Sequence, residues 1–115
     1  MKKLEINKND LKNNIDIIKN IASASNSNKT KIIAVVKANG IGLDLIKYSK
    51  FLIENEITTL AVAQTEEAIR LRNADIKEEI IMLSPITQKK ELQLLIENDI
   101  TLTIGSLYEL ELVED

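Results

Sequence analysis

Apolar residues follow two different spacings along the chain. From Asn9 to Ala22 they recur every three or four positions, which predicts an amphipathic helix capped by Asn9 or Asp10. Ser and Asn dominate the stretch from Ser23 to Lys29, which predicts a loop. The next stretch, Ile32 to Val36, is a continuous and mostly β-branched apolar run. Such a run is typical of a strand buried on both faces, as in a parallel sheet.

The order of strand and helix then repeats. A turn at Ala38 to Gly42 leads into a helix that ends near Asn55, and Thr65 caps a helix that reaches about Arg72. A capping box of Ser106 and Glu109 begins the last helix. Three further strands and a helix are predicted between these points, at Thr59–Ala63, Glu79–Leu83 and Thr101–Ile104, with the helix carrying Leu92, Leu95 and Ile96. Repeated strand–helix units with short loops predict an α/β fold with parallel strands.

An open doubly wound sheet and a (β/α)8 barrel are both compatible with this pattern. In an open sheet, a Gly-rich turn after the first strand binds phosphate, but the turn from Lys37 to Gly42 lacks the glycine spacing of the nucleotide-binding fingerprints. In a barrel, active-site residues lie at the carboxyl ends of the strands, and Lys37 holds that position. A neutral lysine amine there can form a Schiff base with an aldehyde, although a lysine that only reaches from a strand end into water would give the same pattern.

Composition removes several kinds of chemistry. The 115 residues include no Cys and no His, which excludes disulfides, thiol nucleophiles and imidazole bases. The acidic pairs Glu66–Glu67 and Glu78–Glu79 are interpreted as solvated helix starts or turns, so no metal site is predicted. The first fifty residues hold ten lysines and four acids, but the lysines are dispersed among Asn and Ile, which does not favour a nucleic-acid partner. No stretch is long and apolar enough for a membrane, and the cytoplasm is the expected location.

One segment resembles the signature of the alanine racemase family. That segment reads Ala34-Val35-Val36-Lys37-Ala38-Asn39-Gly40-Ile41-Gly42. The start Leu4 to Asn7, the segment Leu60 to Ala68 and the strand Ile80 to Leu83 are similar to the family's opening strand, second strand with its helix start, and third strand. The resemblance implies that residues 1–115 are a single domain, the N-terminal portion and first half of a TIM-type (β/α)8 barrel, incomplete and inactive alone.

The resemblance also implies a site and a reaction. Lys37 would bind pyridoxal 5'-phosphate and act as a base in the interconversion of L- and D-alanine, a reaction of cell-wall biosynthesis. Val35 and Leu83 match positions that line the family's cofactor pocket, although ordinary core packing would explain them equally well. The implied partners are a small amino-acid substrate, alanine, and either a second copy in a homodimer or the missing part of the barrel.

Two positions depart from the family's pattern, and they keep alternatives open. Ile41 stands where the family has a Tyr, and Leu43-Asp44 stands where it has a His-Gly pair. A non-enzymatic pyridoxal-phosphate homeostasis protein is one alternative, although Ala38-Asn39 differs from what that family shows after its lysine. A vestigial half-barrel that serves as an interaction module is the other, and the loss of the Tyr hydroxyl at Ile41 favours it.

Overall fold

A computed structural model describes residues 2–24 and 30–115 of the chain. The chain divides into two compact units, residues 1–32 and residues 33–115.

The first unit contains helix α1 (Lys8–Ala24). Asn7 caps it, because its Oδ1 accepts from the backbone N–H groups of Asn9 at 3.0 Å and Asp10 at 3.2 Å. The predicted caps Asn9 and Asp10 are therefore wrong by two or three positions. Ser23 is helical rather than part of a loop. Its hydroxyl donates a hydrogen bond to the carbonyl of Asn20, so the polar side chain finds its partner within the helix. The remainder of that predicted loop, residues 25–29, lies outside the described residues.

The second unit is a parallel sheet with helices between its strands. Its strands are β1 (Ala34–Val35), β2 (Thr59–Val62) and β3 (Glu79–Met82). Its helical elements are the short turn α2 (Lys37–Ile41) and the helices α3 (Leu45–Glu54), α4 (Thr65–Asn73), α5 (Lys89–Glu97) and α6 (Leu107–Glu114). The sheet order is β1-β2-β3, and both pairings are parallel. The prediction of an α/β fold with parallel strands is confirmed.

The two faces of the sheet differ in burial. Residues in register across neighbouring strands point to the same face, which groups Ala34, Leu60 and Ile80 on one face and Val35, Ala61 and Ile81 on the other. The face that carries Leu60 and Ile80 is covered, and these two side chains are fully buried. Helix α4 packs against β2 and β3, and apolar side chains of α3, α4 and α5 are buried as well, namely Leu45, Leu52, Leu71 and Leu95. This packing forms the core of the second unit.

The opposite face, here called the inner face, is partly open. Val35 on β1 is 41% exposed, and Leu83, which follows β3, is also 41% exposed. The prediction that the first strand is buried on both faces is therefore wrong for β1, which lies at the edge of the described sheet with one partner strand. Every residue of the central strand β2 is buried. Sequence pattern alone could not separate an edge strand from a central one, since both are apolar.

Two other local predictions need correction. The fourth strand, predicted over Thr101–Ile104, is reduced to a single parallel bridge between Thr101 and Ile81. The hydroxyl of Thr103 donates to the carbonyl of Met82 at 2.7 Å and replaces a backbone donor there. Thr65 is the first helical residue of α4 and not its cap, because its hydroxyl instead donates to Glu91 on α5 at 3.0 Å. The extended residue before it, Gln64, is the N-cap.

Candidate functional site

Lys37 lies directly beyond the carboxyl end of β1. The preceding residue, Val36, is fully buried and donates its backbone N–H to the carbonyl of Ala61 at 2.8 Å, so the pairing with β2 continues to the residue before the lysine. Lys37 itself is exposed. Within residues 2–24 and 30–115, its amine makes no hydrogen bond or ion pair. Among the described residues, the lysine is thus an exposed amine without a partner, at the carboxyl end of the sheet, where parallel α/β folds bind their ligands.

The chain after Lys37 forms a left-handed turn. Ala38, Asn39 and Gly40 all have left-handed backbone angles, with φ of 56°, 54° and 69°, and Ile41 follows with φ of 54°. A left-handed conformation costs an L-residue roughly 1–2 kcal/mol, and for a β-branched residue such as Ile41 it is an outlier. Such strain persists only where the surroundings determine the conformation, and it is common at functional sites.

Backbone hydrogen bonds close this turn on itself. Gly40 donates to the carbonyl of Val36 at 2.8 Å, and Gly42 donates to the carbonyl of Ala38 at 3.0 Å. Leu43 then donates to the carbonyl of Gly40 at 3.1 Å. These three bonds satisfy six backbone polar groups between Val36 and Leu43. The turn that Ala38 to Gly42 predicts is confirmed, and its left-handed form is a new finding.

Side chains fasten the turn to the start of α3. The Oδ1 of Asn39 accepts from the backbone N–H of Leu45 at 3.1 Å. Asp44 is the N-cap, and its Oδ1 accepts from Ile46 at 3.1 Å and from Lys47 at 3.4 Å. Helix termini leave such N–H groups without intrahelical acceptors, so both side chains stabilise the helix start. Asp44, at a position where the sequence departs from the family's pattern, has a structural contact of its own.

Gly40 is required by close packing as well as by its backbone angle. A Cβ at this position would lie 3.2 Å from both the Cα and the N of Leu45 and 3.4 Å from the Cβ of Tyr48. At Gly42 a Cβ would meet nothing within 4 Å, although its φ of 84° is also left-handed. The first glycine therefore allows the turn to approach α3, whereas the second supplies backbone freedom only.

Glu67 connects this turn to the next strand–helix loop. Its Oε1 accepts from the backbone N–H groups of Ala63 at 3.2 Å and Gln64 at 3.1 Å, and its Oε2 accepts from Asn39 at 3.4 Å. The side chain is buried. The interpretation of Glu66–Glu67 as a solvated pair is therefore wrong for Glu67. The position of Glu67 in the first turn of a predicted helix indicates a capping residue. No local sequence pattern predicts its contact with Asn39.

Val35 and Leu83, the other two predicted site residues, lie on the inner face. Val35 is in register with Ala61, which is in register with Ile81, and Leu83 lies two residues beyond Ile81 on the same face. Leu83 also donates its backbone N–H to the carbonyl of Val62 at 2.8 Å, which extends the pairing of β3. The inner face thus carries an exposed apolar side chain beside Ala61 on β1 and another two residues beyond the partner of Ala61 on β3. A pocket-lining role for Val35 and Leu83 stays a prediction.

Ile41, at the position of the family's Tyr, is 57% exposed and contributes no polar group.

The described residues include no helix that is both long enough and apolar enough to cross a bilayer. A cytoplasmic location stays a prediction.

Comparison with known proteins identifies the family. Residues 6–115 match the family described as alanine racemase, N-terminal domain. The alanine racemase of Methanococcus maripaludis is 41% identical over 103 residues, which cover 90% of this chain and 26% of that protein. The alanine racemase of Fusobacterium nucleatum is 44% identical over 80 residues, which cover 70% of this chain and 21% of that protein.

A solved structure agrees with these relatives. The alanine racemase of Clostridium difficile 630 in complex with cycloserine superposes with a TM-score of 0.82 at 31% identity, over 91% of this chain and 28% of that one. The chain therefore spans about a quarter of the length of the proteins it matches. Its parallel strands correspond to the first half of a TIM-type barrel. With a match over nearly its whole length, the chain belongs to the alanine racemase N-terminal domain family.

Proposed function

We propose that this chain supplies the cofactor-binding lysine of an alanine racemase, which interconverts L- and D-alanine with pyridoxal 5'-phosphate. The observation that carries the proposal is the position of Lys37. Its amine is exposed and unpaired among the described residues, at the carboxyl end of β1, in a chain that belongs to the alanine racemase family. A lysine amine in its neutral form is the group that reacts with the aldehyde of this cofactor, and no hydrogen bond within the described residues hinders its approach here.

The residues around Lys37 fit the cofactor. The exposed side chains of Val35 and Leu83 offer apolar surface for the flat ring on the inner face, beside the small residue Ala61. Once bound, the ring withdraws electrons from the substrate and makes the proton on its Cα removable. We propose that Lys37 holds the cofactor and that its Nζ accepts this proton on one side of the substrate. Alanine is the proposed substrate because the two relatives and the solved structure described above are alanine racemases.

We further propose that residues 1–115 act as one domain and that its barrel is completed by association. A closed barrel of this type needs eight strands, and the described part of the chain provides three strands and one bridge. The exposed apolar side chains of the inner face and the single-partner edge of β1 favour pairing with further strands. These strands would come from a second copy or from the rest of the barrel. Light scattering tests pairing between copies, and a monomer at all concentrations would contradict it.

Reductive labelling tests the cofactor role. The protein is mixed with pyridoxal 5'-phosphate, reduced with borohydride and digested, and the modified peptide is identified by mass spectrometry. We expect modification at Lys37, no modification at this site in Lys37→Arg, and unchanged modification of Lys37 in Lys47→Arg, which alters an exposed lysine on α3. Modification spread evenly over the surface lysines would contradict a formed site and would favour the vestigial alternative.

A chimera tests the racemase activity. This chain replaces the matching residues of the Methanococcus maripaludis alanine racemase, and formation of D-alanine is measured. We expect activity in the chimera and none after Lys37→Arg. Cofactor labelling of Lys37 without any activity in the chimera would instead favour a non-enzymatic cofactor-binding protein. The apolar Ile41 in place of a Tyr would then account for part of the missing activity.

A further inference from the structure

The turn that follows Lys37 depends on contacts from outside itself. Its own backbone bonds close the loop, but three non-glycine residues, Ala38, Asn39 and Ile41, remain in a conformation that L-residues disfavour. Two side-chain hydrogen bonds link the turn to other elements. In one, Asn39 accepts from Leu45 of α3, and in the other, Asn39 donates to Glu67 of α4. Both pass through Asn39, two residues after the lysine.

The two oxygens of Glu67 have separate partners. Oε1 takes both bonds of the helix cap, from Ala63 and Gln64, at the end of β2. Oε2 takes the bond from Asn39, 28 residues away in the sequence. A buried carboxylate that accepts several backbone N–H groups is held firmly, because each bond restricts its rotation. The buried carboxylate therefore joins the carboxyl end of β2 to the turn after β1.

We propose that Glu67 is a positioning residue for Lys37. Glu67 holds the backbone N–H of Asn39, which stabilises the left-handed turn, and this turn sets the direction of the lysine side chain. The inference rests on the proposed cofactor role of Lys37. It adds to the site a residue of α4 that acts on the lysine through the turn.

Glu109 provides an internal comparison. It occupies the same position at the start of α6, is buried to a similar extent, and its Oε2 accepts from the backbone N–H of Gly105 at 2.9 Å. Its Oε1 accepts from the hydroxyl of Ser106 at 3.1 Å. The two glutamates therefore share a capping function. Only Glu67 has an additional bond to the turn that follows the lysine.

The matched variants Glu67→Gln and Glu109→Gln separate capping from positioning. A glutamine at position 67 keeps one carbonyl oxygen for the cap bonds of Ala63 and Gln64, but its amide group then faces the N–H of Asn39, donor against donor. Glu109→Gln makes the same chemical change in the other cap. Each variant and the wild-type protein are titrated with pyridoxal 5'-phosphate, reduced, and analysed for the labelled fraction of Lys37.

We expect Glu67→Gln to weaken the apparent cofactor affinity at Lys37 roughly tenfold, as the loss of one part-buried hydrogen bond to a charged group allows, and Glu109→Gln to leave it unchanged. Equal affinities in the two variants would overturn the positioning role while leaving the cofactor role intact. A wild-type protein without labelling at Lys37 would overturn both. The two failures are therefore distinguishable.

Amide hydrogen exchange tests the same bond without any cofactor. In the wild-type protein the Asn39 amide should be protected, and Glu67→Gln should speed its exchange roughly tenfold, while Glu109→Gln should not. A wild-type Asn39 amide that exchanges as fast as in an unstructured peptide would overturn the proposal without recourse to any variant.

Discussion

Individual residues decide the geometry next to the lysine. The left-handed turn contains one residue that favours left-handed backbone angles and one that disfavours them. Gly40 suits its φ of 69° and leaves room for Leu45, whereas Ile41 adopts φ of 54° against the preference of a β-branched side chain. Substitutions at these two positions should therefore change stability in opposite directions.

Gly40→Ala should destabilise the protein by about 2–4 kcal/mol, because it adds both left-handed strain and a methyl group against the backbone of Leu45. Gly42→Ala is the matched control. Its methyl group meets nothing within 4 Å, so the strain alone should cost about 1 kcal/mol. Urea denaturation measures both values, and equal losses would show that close packing at Gly40 is unimportant.

Ile41→Asn should stabilise the protein by about 1 kcal/mol. Asn adopts left-handed angles more readily than a β-branched residue, and the 57% exposed side chain of Ile41 has little burial to lose. Thermal denaturation provides the measurement. A loss of stability would mean that the Ile41 side chain makes an apolar contact that outweighs its backbone strain.

At the level of elements, Arg72 joins the end of α4 to two segments, one that precedes β3 and one that precedes the bridge residue Thr101. Its guanidinium donates to four backbone carbonyls, those of Ile76, Glu78, Asn98 and Asp99, at 2.8–2.9 Å. The planar fork of arginine spreads its donors over three nitrogens and so reaches four separated carbonyls, whereas lysine has a single nitrogen to donate from. The bonds lie at the amino ends of the strands, whereas Lys37 lies at their carboxyl ends.

Arg72→Lys should therefore cost about 2 kcal/mol of stability, because several of these carbonyls lose a charged donor. Arg70→Lys on the same helix is the control and should change stability by less than about 0.5 kcal/mol, since Arg70 is exposed and makes no hydrogen bond in the described part of the chain. Chemical denaturation compares the two variants. A similar small effect in both would contradict a structural role for Arg72.

The elements also show where sequence reasoning succeeds. The apolar runs predicted β2 and β3 to within one residue, and the lysine after the first run was found because its position follows from the strand before it. The fourth strand was predicted too long, since a Thr hydroxyl at position 103 competes with the backbone for a carbonyl. The contact between Glu67 and Asn39 joins residues 28 positions apart, so no local pattern could contain it.

At the scale of the whole molecule, burial is concentrated on one side of the sheet of the second unit. The helices cover one face, while the inner face keeps exposed apolar side chains at its margins. The central strand β2 is nevertheless buried at each of its four positions, and it has a paired strand on either side. Local stability should follow this gradient from β2 outward.

Backbone amides of β2 should accordingly exchange more slowly with solvent than those of β1, where one edge is unpaired in the described sheet. Hydrogen exchange followed by mass spectrometry or NMR measures this difference. Equal exchange rates in the two strands would mean that the edge of β1 is covered in solution, as the proposed pairing between copies would produce, and dilution of the protein would then restore the difference.

The left-handed turn also limits how the chain could change its length. Loops between elements usually accept insertions, because their backbone is solvated and weakly constrained. Here, backbone hydrogen bonds four residues apart, together with the contacts of Asn39 and Asp44, fix the number of residues between Lys37 and α3. An added or deleted residue would shift every one of these bonds. This connection is therefore a poor place to insert a tag or a second domain, although it joins a strand to a helix at the protein surface.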